Sequence, residues 1–256
     1  MTQLTVLAGC ARLATVPVWK DYQEETAAYY RALGLSAQTD QRIDGARSTH
    51  KVDVAVRGYR AAVEFLWIVE CKYWNRRVSK SAVATLSSIV QDVGADRGLI
   101  LSRRGFQPGA TALAQKSNIT LTSLSELQAD TADEYVQCQC GLLSKRCQAA
   151  VDTINARTII TLATGTMRAS DPPGAGYVGH FMLGRISLLQ RAVRAARNGK
   201  WPFNIKIVSL ARGVSRMQCA ADAAEMNIRV NNVDELAQWI GTAMDSIERE
   251  IGVNGD

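Results

Sequence analysis

Two stretches decide the fold: Val52-Asp53-Val54-Ala55-Val56, stopped by Arg57-Gly58, and the run from Ala62 to Tyr73, which carries Phe65, Trp67, Ile68 and Val69 and closes on Glu70-Cys71-Lys72. Both are rich in β-branched and aromatic residues and read as strands of a hairpin with a modest loop. Side chains alternate along a strand, so Glu70 and Lys72 share one face of the sheet and Cys71 takes the other. An acid and a base at the end of an apolar strand are unusual, because an unpaired buried charge is costly. One resolution is a mutual ion pair; another is a metal-bound carboxylate with a lysine beside it. In the hairpin Asp53 can lie opposite Glu70, and two carboxylates at that distance repel unless a cation intervenes. Mg²⁺ suits such a site, because it takes a few carboxylate oxygens and keeps its remaining positions for water and phosphate oxygens.

Working outward, a helix is predicted from about Val18 to Leu33, closed by Gly34. A polar stretch, Thr39 to Lys51, precedes the first strand. Beyond the second come a helix from about Ser79 to Val93, a buried strand Gly98–Ser102, a short helix from Gly109 to Lys116 and a strand Ile119–Thr122. That order describes an α/β fold, a mixed sheet flanked by helices. The first unit is expected to cover 1–128, with acidic and small residues at Ala129–Glu134 as a linker to a smaller α/β unit at 129–256.

Composition excludes several classes. Hydrophobic residues make up 47% of the 256, enough for a core. No apolar run reaches the roughly 18 residues that span a bilayer, and the N-terminus lacks the pattern of a secretory signal, so a cytoplasmic protein without a membrane partner is expected. His50 and His180 are the sole histidines, which argues against His-rich zinc hydrolases and Ser-His-Asp schemes. No phosphate-binding Gly-x-x-x-x-Gly-Lys loop is encoded, and Gly174-Ala175-Gly176 reads as a loop. Cys138, Cys140 and Cys147 cluster without a fourth zinc ligand, so they and Cys10, Cys71 and Cys219 are read as reduced thiols. The net charge of +6 fits a polyanion partner without proving one.

The ordered set Val52-Asp53-Val54 and Ile68-Val69-Glu70-Cys71-Lys72 resembles the Asp…Glu-x-Lys signature of the PD-(D/E)xK nuclease superfamily, and within it the Mrr-like restriction endonucleases. The resemblance runs from about Tyr22 to Leu127. It includes Tyr22-Gln23-Glu24-Glu25 before Ala32-Leu33-Gly34, His50-Lys51-Val52-Asp53, Val93-Gly94-Ala95-Asp96-Arg97-Gly98 and Gly105-Phe106. Val52 stands where the nominal motif has proline. The resemblance implies a restriction-endonuclease-like fold in which Asp53 and Glu70 hold Mg²⁺, with Mn²⁺ able to stand in, and Lys72 serves the chemistry. It implies hydrolysis of phosphodiester bonds in double-stranded DNA, in restriction or phage defence. It also implies a metal-side glutamate on the first helix; Glu25, at the edge of the less polar helix face, is favoured over Glu24. Gln91 is a phosphate-contact candidate, and a homodimer would supply one site per strand. A junction or repair nuclease and a catalytically silent nucleic-acid-binding module are the alternatives. His50 is read either as a substrate contact or as a turn residue, and Trp67 and Trp74 as packing.

In the C-terminal half a helix from Gly179 to Asn198 carries Arg185, Arg191, Arg194 and Arg197 along one side and Ile186, Leu189, Val193 and Ala196 along the other. It is either an ordinary amphipathic helix or, through Arg191, Arg194 and Arg197, a phosphate-tracking stripe. Ile205–Ser209 and Asn227–Val230 echo Leu99–Ser102 and Asn118–Leu121, which predicts a second strand–helix–strand unit with no active site, ended by a helix from Val233 to about Ile251.

Overall fold

The first element, α1 (Val18–Ala32), ends where the sequence places glycine. Gly34 has φ +82°, and its N–H and that of Leu35 bond back to the carbonyls of Arg31 and Tyr30, so the last turn is closed by a residue free to adopt a left-handed conformation. This is a computed structural model, and it describes residues 18–164, 175–199, 201–209 and 224–250. The chain divides into two compact units between Thr131 and Ala132, a few residues beyond the boundary expected at Gln128.

In the first unit α1 is followed by β1 (Ser36–Asp44), β2 (Thr49–Arg60), β3 (Val63–Lys72), α2 (Lys80–Asp92), β4 (Arg97–Ser102), α3 (Pro108–Ala114), β5 (Ile119–Thr122) and α4 (Leu124–Asp130). The five strands form one sheet in sequence order. β1–β2–β3 is an antiparallel meander, whereas β3–β4 and β4–β5 pair parallel. The helical crossovers α2 and α3 make those parallel pairs possible. The sheet is therefore mixed and flanked by helices, as the sequence predicts.

β1 lies largely within the stretch Thr39–Lys51 read as merely polar and begins three residues before it. Of its nine residues only Ala37 is buried, so the edge strand lacks the apolar alternation that would announce it.

On one face of the sheet Ala55, Ile68 and Ile100 pack with Val83, Leu86 and Val90 of α2. Gly98 allows the approach: a Cβ there would meet the side chains of Ile119, Val90 and Leu86 at 2.6, 2.8 and 3.1 Å. On the other face Tyr30 of α1 meets Trp67 edge-on at 6.4 Å, with Phe65 stacked on Trp67 at 4.6 Å, and the Cys71 thiol lies 3.7 Å from the Thr26 hydroxyl. Cys71 and Glu70 thus belong to opposite faces, as the alternation requires.

The second unit comprises α5 (Ala132–Thr164), α6 (Ala175–Asn198), β6 (Phe203–Ser209), β7 (Ala224–Val230) and α7 (Val233–Glu250). The expected linker at Ala129–Glu134 is helical instead. Ala129 and Asp130 close α4, and Asp133 and Glu134 form the acidic first turn of α5, where the helix dipole favours them. Ala175 and Gly176, read as loop, open α6.

Cys140, Cys147, Ile186, Leu189, Val193, Leu236, Ile240 and Met244 share a buried core, which places Cys140 and Cys147 as packing thiols. Among the described residues no three His, Cys, Asp or Glu side chains form a metal-binding group. Cys10, Cys219 and the His180 side chain lie outside the described residues.

β6 and β7 are neighbours, as the echo requires, but they pair antiparallel where β4 and β5 are parallel. The echo is one of spacing and not of topology, and the expected helix between them, 210–223, lies outside the described residues. No helix among the described residues is long and apolar enough to cross a membrane.

Candidate active site

Glu70 and Lys72 occupy the carboxyl end of β3, where Ile68 is wholly buried and the sheet begins to open to solvent. Both side chains leave on the α2 face, and Lys72 Nζ donates to Glu70 Oε2 at 2.5 Å. The pair is mostly sheltered, with side-chain exposures of 20% and 14%, so water screens it poorly.

Asp53 comes from the neighbouring strand. The β2–β3 register runs from Arg60↔Val63 to Val54↔Val69, so Asp53 leaves the ladder beside the Glu70–Lys72 end of β3. The Asp53 Oδ2 accepts the backbone N–H of Cys71 at 2.8 Å, which fixes the carboxylate against the strand between Glu70 and Lys72.

β2 is irregular at this point. Val52 and Ala55 both pack into the α2-side cluster, although strict alternation would send them to opposite faces. The regular alternation is therefore broken between Val52 and Ala55. Across the sheet, the β1–β2 ladder forms rungs Thr39↔Val54 and Gln41↔Val52 but none between Asp40 and Asp53, and Asp40 has φ +54°. Aspartate tolerates that conformation better than most residues.

Burial and mutual repulsion dominate the electrostatics. Burial raises the Glu70 pKa first, then the charge of Asp53, against the lowering effect of Lys72. Asp53 is also raised, chiefly by burial and further by Asp40, while the Cys71 N–H and Lys72 oppose the shift. Two acids and one base leave one negative charge in a sheltered place. Cys71 plays no nucleophilic part: burial pushes its thiol up to about 12.

Other residues named from the sequence fall elsewhere. Glu25 is exposed on α1, whose buried side packs on the Cys71 face, and no contact joins it to Asp53, Glu70 or Lys72. Glu24 accepts the Thr39 hydroxyl at 2.5 Å and lies 3.8 Å from Arg31. Gln91 is exposed on the last turn of α2.

Its neighbour Asp92, passed over in the sequence, has a carboxylate only 2% exposed that accepts from Arg47 Nε at 2.7 Å and from the backbone N–H groups of Arg47 and Ser48. His50 Nε2 also lies 2.7 Å from it, which gives that histidine a structural partner at the β1–β2 turn. These donors hold the Asp92 carboxyl well below the usual carboxylate range. Asp40, ion-paired to Lys51 at 2.9 Å, is the other acid the sequence reading missed. Its signal lay in the register, which is invisible before β1 is recognised.

On α6, Ile186, Leu189, Val193 and Ala196 are buried, Arg191 and Arg194 are exposed, Arg185 pairs with Glu250 at 3.0 Å, and Arg197 Nε donates to Gln137 at 3.0 Å. The helix is amphipathic as expected, and two of its arginines have partners within the unit.

Residues 18–129 match the family model Mrr_cat, described as restriction endonuclease. The first unit is therefore a restriction-endonuclease domain of Mrr type, a nuclease domain of restriction-enzyme class. No curated protein matches the chain in sequence. Two solved structures are distantly similar. A protein of unknown function, AF1548, is 13% identical over 93% of this chain and all of its own, with a TM-score of 0.39. The MspJI restriction endonuclease in complex with a 27-mer oligonucleotide is 14% identical over 46% of this chain and 27% of its own, with a TM-score of 0.31.

Proposed function

We propose that the chain is a metal-dependent endonuclease that hydrolyses phosphodiester bonds of double-stranded DNA, in restriction or phage defence, with Asp53, Glu70 and Lys72 as its site. The observation that carries this reading is the convergence of two sheltered, mutually repelling carboxylates and one lysine at the carboxyl end of β3. The donor set fits a hard divalent cation: few protein oxygens, one excess negative charge, and raised carboxylate pKa values that a cation would relieve.

Asp53 and Glu70 would hold Mg²⁺ or Mn²⁺. The bound ion would supply an activated water and polarise the phosphate. Asp53, tied to the Cys71 N–H, would be the more fixed ligand. Lys72 keeps Glu70 neutralised in the free protein and, released from it, presents an ammonium to the attacking water or to the charge developing on phosphate. Trp74 limits that swing, because its ring lies 5.2 Å from Lys72 Nζ.

Glu25 and Gln91 are proposed as outer contacts to ion and substrate, and Arg191, Arg194 and Arg197 as phosphate contacts of the second unit. The second unit would otherwise serve binding, dimerisation or sensing.

The test is cleavage of supercoiled plasmid, linear duplex, a four-way junction and single strands with Mg²⁺, Mn²⁺ or EDTA. Cleavage of the duplex substrates with either metal and none in EDTA is expected. Cleavage confined to the junction would favour a repair role, and binding without cleavage a silent module.

A further inference from the structure

β3 and β4 are parallel neighbours, so the loops that follow them, Tyr73–Ser79 and Arg103–Gln107, emerge at the same end of the sheet, the end that carries Glu70 and Lys72. Open α/β sheets bind ligands at that end. The two loops are laced together: Val78 N–H donates to Gly105 O and Gln107 N–H to Val78 O, both at 3.0 Å, around a parallel bridge between Val78 and Phe106. The Arg103 N–H also donates to the Lys72 carbonyl at 3.3 Å. The loops therefore form a platform rather than two independent tips.

That platform carries exposed Arg76, Arg77, Arg103 and Arg104. Two of them are seated on aromatic rings. The guanidinium carbon of Arg76 lies 5.1 Å from the Trp74 ring centre and that of Arg103 4.7 Å from Tyr73. A guanidinium held over a ring is pre-organised with its N–H edge free, the geometry that suits a phosphate.

No aspartate or glutamate occurs from 71 to 91 or from 97 to 125. An ordinary solvated surface intersperses both signs; these two loops carry positive charge alone. The need is evident from the site itself: Asp53 and Glu70 repel a polyanion, and cations beside them must compensate.

We infer that Arg76, Arg77, Arg103 and Arg104 form the grip that seats the phosphate backbone of duplex DNA on either side of the scissile bond. This rests on the nuclease reading of Asp53, Glu70 and Lys72. The contacts are to phosphate, so they set affinity and register and read no base sequence. Trp74 acts as a positioning residue, holding Arg76 and limiting Lys72 from one ring.

The test is duplex binding by the full chain carrying Lys72→Ala, measured by fluorescence anisotropy across a salt series, with cleavage of the same duplex by the unsubstituted chain scored separately. Adding Arg76→Gln and Arg103→Gln should weaken binding by at least about tenfold at 0.1 M salt and flatten the log–log salt slope by roughly two. Lysine at both positions should restore the slope, because charge sets it, but not the full affinity, because the stacked fork is lost. If the unsubstituted chain cleaves while the glutamine variant keeps its slope and affinity, the grip is wrong and the nuclease reading stands. If the unsubstituted chain neither binds nor cleaves duplex DNA, both fall. A loss confined to single-stranded oligonucleotides overturns the duplex assignment.

Discussion

The two units each hold a cluster of two carboxylates and one base, and the clusters could hardly be used more differently. In the second unit Arg146 reaches from α5 to α7, making bonds of 2.8 and 2.7 Å to the two oxygens of Glu248 and one of 2.5 Å to Asp245. That fork matches carboxylate geometry, and Asp245 remains 63% exposed, so water shares its charge. In the first unit a point-charge ammonium meets one oxygen of Glu70, Asp53 has only a backbone N–H, and burial raises both acids. With the same net charge, the helix-surface cluster is satisfied by its own members, while the strand-end cluster is left short of positive charge. Incomplete satisfaction in a sheltered place is what distinguishes a poised site from a staple.

The largest expected effect follows directly. Glu70→Ala should lower cleavage by about a thousandfold or more, since it removes the proposed metal ligand and the partner of Lys72 together; retention of a tenth of the rate would erase the distinction between the clusters. Next come the separate cores. Ile68→Ala should cost about 2–5 kcal/mol in the first unit, and Ile240→Ala a similar amount in the second. Hydrogen exchange resolved by residue should show each loss confined to its own unit. Arg146→Ala should cost about 1 kcal/mol and leave cleavage unchanged, checked by thermal unfolding alongside the plasmid assay.

The pH dependence sharpens the contrast further. Asp53 and Glu70 have raised pKa values, so in the metal-free protein their charge opposes folding above the folded pKa, and protonation relieves that cost as pH falls through it. Protons then compete with a cation. Mg²⁺ affinity by calorimetry should weaken as pH falls, beginning above the range of ordinary carboxylates. Asp92 has the opposite sign: its contribution to stability is present above the unfolded value and is lost as pH falls through the lowered folded one. The smallest effect should come from α6. Arg191, Arg194 and Arg197 changed together to Gln should flatten the salt slope less than the loop pair Arg76 and Arg103, because Arg197 already bonds to Gln137.

The candidate site was legible in the sequence because alternation on an apolar strand fixes the face of Glu70 and Lys72, and the hairpin brings Asp53 to them. The five-stranded order needed β1, whose single buried residue, Ala37, carries no readable period. Asp40 and Asp92 were missed for the same reason: each acts through a partner, Lys51 or the Arg47–Ser48 turn, that becomes a neighbour only in the folded register. The long α5 was read as a linker followed by unassigned chain. Its polar and small residues do not separate cleanly into faces, and its acidic first turn resembles a flexible junction. The arginine loops were overlooked because no periodicity marks loop residues, whereas the α6 arginines stood out by their helical spacing.

The central claim, that Lys72 works with Asp53 and Glu70 on phosphate and does not merely pair with Glu70, is tested most directly by one comparison. Supercoiled plasmid is incubated with the unsubstituted chain and with Lys72→Ala, each with Mg²⁺ and with EDTA, while duplex binding and thermal unfolding are followed on the same samples. The account predicts Mg²⁺-dependent cleavage by the unsubstituted chain and none by Lys72→Ala, with binding and unfolding temperature nearly unchanged. Cleavage by Lys72→Ala at the unsubstituted rate would contradict it.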